Sequence, residues 1–181
     1  MTDLDIELLP PADADDAILI TRLTTLINEV YRVAGDGMWT AGADRTTEPG
    51  VCGLVRAGEL AVARWDGHLV GCVRIQSLDP DTGEFGLLAA DPARRGQGIG
   101  RALVRFAEEQ ARRRGHRAMQ LELLLPQAWV HPAKQVLADW YDRLGYVVTG
   151  KEPVGTALPD LAPLLATECD FLIYRKVLTA P

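Results

Sequence analysis

Between an apolar run at Glu84–Ala90 and an amphipathic one opening near Gly100, the chain reads Asp91-Pro92-Ala93-Arg94-Arg95-Gly96-Gln97-Gly98-Ile99-Gly100-Arg101. No other stretch restricts the fold as much. A strand must stop at Asp-Pro, the backbone must bend through Gly96, Gly98 and Gly100, and a helix must start at once. Such a helix presents unpaired N–H groups and a positive dipole end. Arg94, Arg95 and Arg101 add charge at the same place. One glycine would serve a tight strand-to-helix turn; three between arginines leave bare main chain for a ligand to lie against. The combination reads as a pyrophosphate cradle.

Two common phosphate loops do not match it. A Walker loop needs Gly-Lys-Ser/Thr at the helix start, and Gly100 is followed by Arg101-Ala102. A dinucleotide G-x-G-x-x-G fails because Arg101 or Leu103 stands where the third glycine belongs. What remains, Arg95-x-x-Gly98-x-Gly100 after a strand and before an amphipathic helix, resembles the coenzyme A signature of the GNAT superfamily of N-acetyltransferases, Q/R-x-x-G-x-G/A.

The remaining elements follow from periodicity. Ile6–Leu9 predicts a first strand, ended by Pro10-Pro11. Ile20, Leu23, Leu26, Ile27 and Val30 recur at helical spacing, predicting a helix from Asp16 to about Arg32. Val33–Gly58 is turn-rich, with a short helix around Pro49–Arg56. Glu59–Trp65 and Leu69–Leu78 read as a hairpin about Asp66-Gly67, and a turn over Asp79–Gly83 leads into the strand Glu84–Ala90. Ile99, Ala102, Leu103, Phe106, Ala107 and Ala111 stripe the next helix, with Glu108–Arg112 and Glu109–Arg113 expected on its wet face. Gly115 ends it. A buried strand Ala118–Leu125, a helix opened by Pro132, a strand begun by Tyr146–Thr149 and a closing strand Asp170–Val177 complete the chain, with Leu158–Ala166 an irregular loop or short helical turn. The class is α/β, a mixed antiparallel and parallel sheet with helices on both faces, in one domain over residues 1–181.

This order is also that of the GNAT fold, from about Glu59 to Val177, with motif-level matches at Gly83–Gly115 and Trp140–Tyr146. In that fold two central parallel strands splay apart, which here implies Glu84–Ala90 and Ala118–Leu125. The resemblance implies acetyl-CoA as co-substrate. Its pantetheine arm would pair with the main chain of Leu88, Ala89 and Ala90 like an added strand. Its pyrophosphate would lie on Arg95, Gly96, Gln97, Gly98, Ile99, Gly100 and Arg101.

Acetyl transfer to an amine needs a deprotonated amine, a held oxyanion and a proton for the departing thiolate. An amine of pKa about 10.4 is protonated at neutral pH and needs a base or a drying site. A backbone N–H near Leu88 suits the oxyanion. Trp140-Tyr141-Asp142-Arg143-Leu144-Gly145-Tyr146 resembles the family's Y-x-x-x-G-F/Y segment and implies Tyr141 as the acid, although Tyr141 also lies on its helix's apolar stripe and suits a core role. For the base, Leu121-Glu122-Leu123 resembles the L-E-V strand that bears it in several members, and Glu84 opens the other splayed strand, where different members place theirs. Glu122 ranks first, because a carboxylate inside an apolar strand is costly without a purpose; a water relay remains open. The asparagine that many members carry after L-E-V is missing, and Pro126–Pro132 intervenes, with His131 either a second acid–base group or a helix-start residue. Glu29, Tyr31, Trp39 and Arg45 would wall the acceptor, an aromatic suiting an alkylammonium and Arg45 a carboxylate; Trp39 also suits a loop anchor.

Composition narrows the partners. Lys+Arg of 19 against Asp+Glu of 25 gives −6, which excludes a general nucleic-acid surface and suits a small-molecule or peptide amine. No stretch predicts a membrane span, and Met1-Thr2-Asp3-Leu4-Asp5 lacks a leader's basic and apolar regions. Cys52, Cys72 and Cys169 show no metal-ligand spacing and imply free thiols, a cytoplasmic location and no metal. A homodimer is allowed. Two rivals stay open: a non-catalytic acyl-CoA sensor, and a binder of some other nucleotide.

Overall fold

The computed structural model describes residues 4–179; Met1–Asp3, part of the leader reading, lie outside them. The strands are β1 (Leu4–Leu8), β2 (Leu60–Trp65), β3 (His68–Ser77), β4 (Thr82–Ala90), β5 (Ala118–Pro126), β6 (Val147–Pro153) and β7 (Cys169–Val177). The helices are α1 (Ala17–Ala34), α2 (Glu48–Arg56), α3 (Ile99–Arg113), α4 (Pro132–Arg143) and the single turn α5 (Val154–Ala157). All seven strands form one sheet in the order β1-β2-β3-β4-β5-β7-β6. Every neighbouring pair is antiparallel except β4 and β5, which are parallel.

Local chemistry sets the helix starts. The Asp16 carboxylate accepts from the N–H groups of Ile18 (3.1 Å) and Leu19 (3.0 Å), capping α1 one residue after the predicted start. Thr47 caps α2 through the N–H of Gly50 at 3.2 Å. Apolar residues on α1 and α2 pack on one face of the sheet, with Val62, Cys72 and Ala89. The α3 stripe, with Tyr141 of α4, packs on the other, against Phe85, Met119, Leu121 and Tyr174. Glycine is required at position 71, where a Cβ would stand 2.9 Å from the Ala89 carbonyl oxygen and 3.1 Å from Ile99; its absence lets the start of α3 settle on the sheet.

A third cluster closes one end of the sheet. Met38, Leu124, Leu161, Cys169 and Phe171 pack together, with Trp39 and Leu165 against them. The Thr40 N–H donates to the Leu164 carbonyl (2.9 Å), and the Ala166 N–H to that of Met38 (2.8 Å). The loop after α1 and the segment before β7 are thereby tied together.

β6 runs on to Pro153 because β7 supplies partners through Asp170. The 158–166 segment follows α5 and contains the expected helical turn, a 3-10 turn at Ala162–Leu164. One expectation changes. Glu108 is buried instead of wet: it accepts from the Tyr146 hydroxyl (2.9 Å) and the Lys176 ammonium (2.8 Å), so partners on β7 and beside β6 draw it inward. Glu109–Arg113 does lie exposed.

Candidate active site

The parting of β4 from β5 organises the site. Their pairing runs only through Thr82↔Ala118, Gly83↔Met119 and Glu84↔Gln120. Beyond it β5 continues against β7 as far as Pro126, whereas the side of β4 facing β5 has no partner strand over residues 85–90. Leu87 marks the cause. Its φ is +46°, in the left-handed region a leucine seldom adopts, and the β3–β4 register shifts between Cys72 and Arg74. Leu87 and Leu88 together oppose Val73, which is a β-bulge. The bulge also reverses side-chain parity. Phe85, Leu88 and Ala90 face α3, while Leu87 and Ala89 face α1 and α2. A strand bent this way leaves main-chain donors and acceptors facing a slot, and buried groups of that kind require partners.

The start of α3 lies at the end of β4. Asp91 accepts from the Ala93 N–H at 2.9 Å, shaping the turn after the strand. Arg94 is engaged, its guanidinium 3.8 Å from Asp91 and 5.5 Å from the Trp65 ring centroid. Arg95 and Arg101 are exposed. Gly98 is the N-cap residue, at φ 83° and ψ 3°, and no side chain caps the helix. A Cβ at Gly96 or Gly98 would meet no protein atom within 4 Å, so the space beside these glycines is open. Bare backbone, uncapped N–H groups and two exposed guanidiniums in no ion pair among the described residues fit a diphosphate. The unpaired edge of β4 fits the amide-bearing arm that follows it. The residues present therefore suit acetyl-CoA.

Glu84 and Glu122 share the sheet face turned toward α1. Glu84 is clamped, accepting from the Gln76 amide at 2.6 Å and the Gln120 amide at 3.1 Å. Arg74 extends the row, donating to Gln76 (2.7 Å) and Glu59 (2.8 Å). Glu122 stands one step further along β5, where the strands have separated, and is exposed. Partial desolvation in the slot raises its pKa, and the Glu84 and Glu152 carboxylates raise it further.

Tyr141 approaches from the opposite face. It is 6% exposed, within an aromatic group that puts Phe85, Tyr146 and Tyr174 at centroid distances of 6.1, 6.2 and 5.9 Å. Burial is the main cause of its raised pKa, and the phenols of Tyr31 and Tyr174 add to it. Tyr31 belongs to α1, which packs on the other face of the sheet.

Of the four residues expected at the acceptor, the structure brings Tyr31 and Arg45 together. The Arg45 guanidinium lies 5.4 Å from the Tyr31 ring centroid. Its loop is held by Asn28, which exchanges two hydrogen bonds with the Thr46 backbone (2.9 and 3.0 Å). Trp39 bridges to Leu165 and anchors the loop. Glu29 is exposed, and two residues along a helix turn it about 200° from Tyr31, so the structure does not bring it to the group. His131 is buried, with Nε2 3.0 Å from the Asp36 carbonyl and its ring against Trp129; it fastens the 126–132 loop. Lys134, which the sequence reading passed over, is 5% exposed and close enough to Arg45 to feel its charge. Gln76 and Gln120 were also passed over, although polar residues alternating with apolar ones in β3 and β5 carried a signal.

Among the described residues no helix is long and apolar enough to cross a membrane, and no three His, Cys, Asp or Glu residues are grouped to hold a metal.

The model of the acetyltransferase (GNAT) family matches residues 27–146. No curated protein sequence matches the chain. Among solved structures, the PaiA N-acetyltransferase of Thermoplasma acidophilum, in complex with coenzyme A, is similar with a TM-score of 0.70 and 15% identity, over 97% of this chain and 99% of its own. An aminoglycoside 6'-N-acetyltransferase complexed with coenzyme A has a TM-score of 0.69 and 17% identity, over 98% of each chain. The N-acetylglutamate synthase of Neisseria gonorrhoeae, complexed with coenzyme A and N-acetyl-glutamate, has a TM-score of 0.66 and 16% identity. It is matched over 99% of this chain, which spans 36% of that longer protein.

Proposed function

The chain belongs to the acetyltransferase (GNAT) family, whose members move an acetyl group from acetyl-CoA to an amine, and from that premise we propose which of its residues perform the transfer. The amine nitrogen attacks the thioester carbonyl, a C–N bond forms, the C–S bond breaks, and coenzyme A leaves as thiolate. Both substrates are bound at once, and attack is direct.

Each step has a group. Arg95 and Arg101, with the main chain from Gly96 to Gly100, hold the diphosphate at the mouth of α3. The backbone of Leu88, Ala89 and Ala90 pairs with the pantetheine amides. An N–H near Leu88 donates a hydrogen bond to the carbonyl oxygen as negative charge develops on it. Glu122 takes one proton from the acceptor's ammonium, which frees the amine to attack; the second proton, lost by nitrogen as the tetrahedral adduct collapses, replaces the one that Tyr141 gives to the thiolate. What supports Glu122 over Glu84 is that both Glu84 oxygens are already engaged by the Gln76 and Gln120 amides, whereas partial desolvation and the neighbouring carboxylates raise Glu122 toward the range where a base works. Tyr141 supplies the proton to the thiolate. Burial keeps the phenol protonated, so its proton is in place when the C–S bond breaks. The acceptor enters between Tyr31 and Arg45, and residues 1–181 act as one such domain.

The observation that carries this reading is the loss of β4–β5 pairing after Glu84 and Gln120, beside an uncapped helix start. Calorimetric titration tests it. Acetyl-CoA is expected to bind with one site per chain, and neither ATP nor NAD to compete. Absence of heat with acetyl-CoA, or competition by ATP, refutes it.

A further inference from the structure

A furrow of about 260 Å³ runs between α3 and the C-terminal end of α4, and the transfer outlined above does not use it. It lies close to the helix mouth: a Cβ on Gly100 would stand 3.7 Å from the Trp140 ring, so α4 flanks the first turn of α3. Val104 and Leu144 are its apolar part, and the charged lining is Arg101, Arg105, Arg143, Lys176 and Glu108. The Glu108 carboxylate is already satisfied. It accepts from the Lys176 ammonium (2.8 Å) and the Tyr146 hydroxyl (2.9 Å), with the Arg112 guanidinium 3.6 Å away. The three arginines lining the furrow are exposed, and none forms an ion pair among the described residues. Arg101 stands in the first turn of α3, where the helix dipole opposes a cation and no acidic residue offsets it. Arg105 follows four residues on, so the two share one side of the helix about 6 Å apart along its axis. Arg143 reaches the furrow from the last turn of α4. An anion among the three relieves their mutual repulsion and accepts charge-assisted hydrogen bonds. The cavity on the other side of the Arg101–Arg105 ridge differs. It is walled by Leu4, Ile6 and Phe106 and shares the Glu109 carboxylate, which suits an uncharged ring better than a phosphate.

We propose that Arg105 and Arg143, with Arg101 shared between furrow and cradle, hold the 3′-phosphate of the acetyl-CoA ribose, so that this chain distinguishes acetyl-CoA from its 3′-dephospho form. The inference rests on the acetyltransferase reading given above and adds a specificity site to it. Coenzyme A carries its diphosphate and its phosphomonoester on one ribose, at the 5′ and 3′ positions. A diphosphate at the mouth of α3 therefore leaves the monoester within reach of the next turn, where Arg105 stands. The monoester bears about −1.5 to −2 charge at pH 7 and three acceptor oxygens, which planar guanidinium forks match.

Calorimetric titration with coenzyme A and with 3′-dephospho-coenzyme A tests it, because both ligands carry the diphosphate and the pantetheine arm. Coenzyme A should bind about 10-fold more tightly, the low end for charge-assisted hydrogen bonds, since the arginines are exposed. Added salt should narrow that difference by screening exposed charges. Arg105→Gln and Arg143→Gln should each bring the ratio toward one while the affinity for 3′-dephospho-coenzyme A is kept. Arg95→Gln, in the cradle, should weaken both ligands alike and leave the ratio intact. Equal affinity for the two ligands in the parent, a difference indifferent to salt, a ratio left unchanged by either furrow variant, or a ratio lost in Arg95→Gln overturns the inference. Absence of binding by both ligands overturns the acetyltransferase reading instead, so the two failures are separable.

Discussion

Replacing one glycine at each end of α3 separates the cost of the backbone from the cost of the cradle. Gly98 and Gly115 have φ values of +83° and +85°, and a Cβ at either would meet nothing within 4 Å. Alanine is therefore opposed only by the left-handed conformation, by about 1–2 kcal/mol at each position. For a chain of this size that lowers Tm by about 2–4 °C per kcal/mol. Gly98→Ala and Gly115→Ala should melt alike. Their effects on acetyl-CoA should differ. A methyl at 98 projects into the space the diphosphate needs and weakens one or two charge-assisted hydrogen bonds, reducing affinity about 10- to 100-fold. Gly115 is about 25 Å away along the helix and should leave affinity unchanged. Thermal melts and calorimetry read the two quantities separately. Equal affinity in both variants, or an equal loss in both, refutes the assignment of the cradle to the Gly98 end.

Three further outcomes follow from the same geometry. Tyr141→Phe should fold as stably as the parent, since the Tyr141 hydroxyl makes none of the hydrogen bonds found among the described residues, yet slow thiol release about 100-fold; undiminished turnover removes it as the acid. In a pH profile of kcat/KM, the acid limb belongs to Glu122 and lies above the ordinary carboxylate range; Glu84→Gln removes one of the charges that raise it and should move the limb to lower pH, whereas a fixed limb assigns the base elsewhere. Lys134 is lowered from 10.5 to about 8, so its charged form opposes folding fully below pH 8 and ceases to above 10.5. Lys134→Met should then add up to about 3 kcal/mol at neutral pH and flatten the rise of stability between those values, as denaturant melts at several pH values would read.

The open, uncapped start of α3 was legible because its requirement is local: φ-permissive glycines, a helix start and arginines all lie within a few residues. Element order was legible for a similar reason, as periodicity and turn residues mark each strand and helix. The bulge at Leu87 was not. Nothing in Phe85-Gly86-Leu87-Leu88 announces that a leucine will take a positive φ, because the neighbouring strand and two opposed cores decide it. Glu108 was misjudged because its partners, Tyr146 and Lys176, are 38 and 68 residues away. Lys134 was invisible on the same grounds: a lysine early in a helix reads as solvated until the 126–132 and 158–166 segments close over that end of the sheet. Glu29 shows the reverse limit: it shares α1 with Tyr31, but helical geometry turns it to another side.

Amide hydrogen exchange with and without acetyl-CoA reaches the central claim most directly. Two separate segments, 85–90 on the unpaired edge of β4 and 96–102 at the mouth of α3, should gain protection together on addition of acetyl-CoA, because their N–H groups acquire acceptors there. Protection confined to other segments, or none in these two at saturating acetyl-CoA, would contradict it.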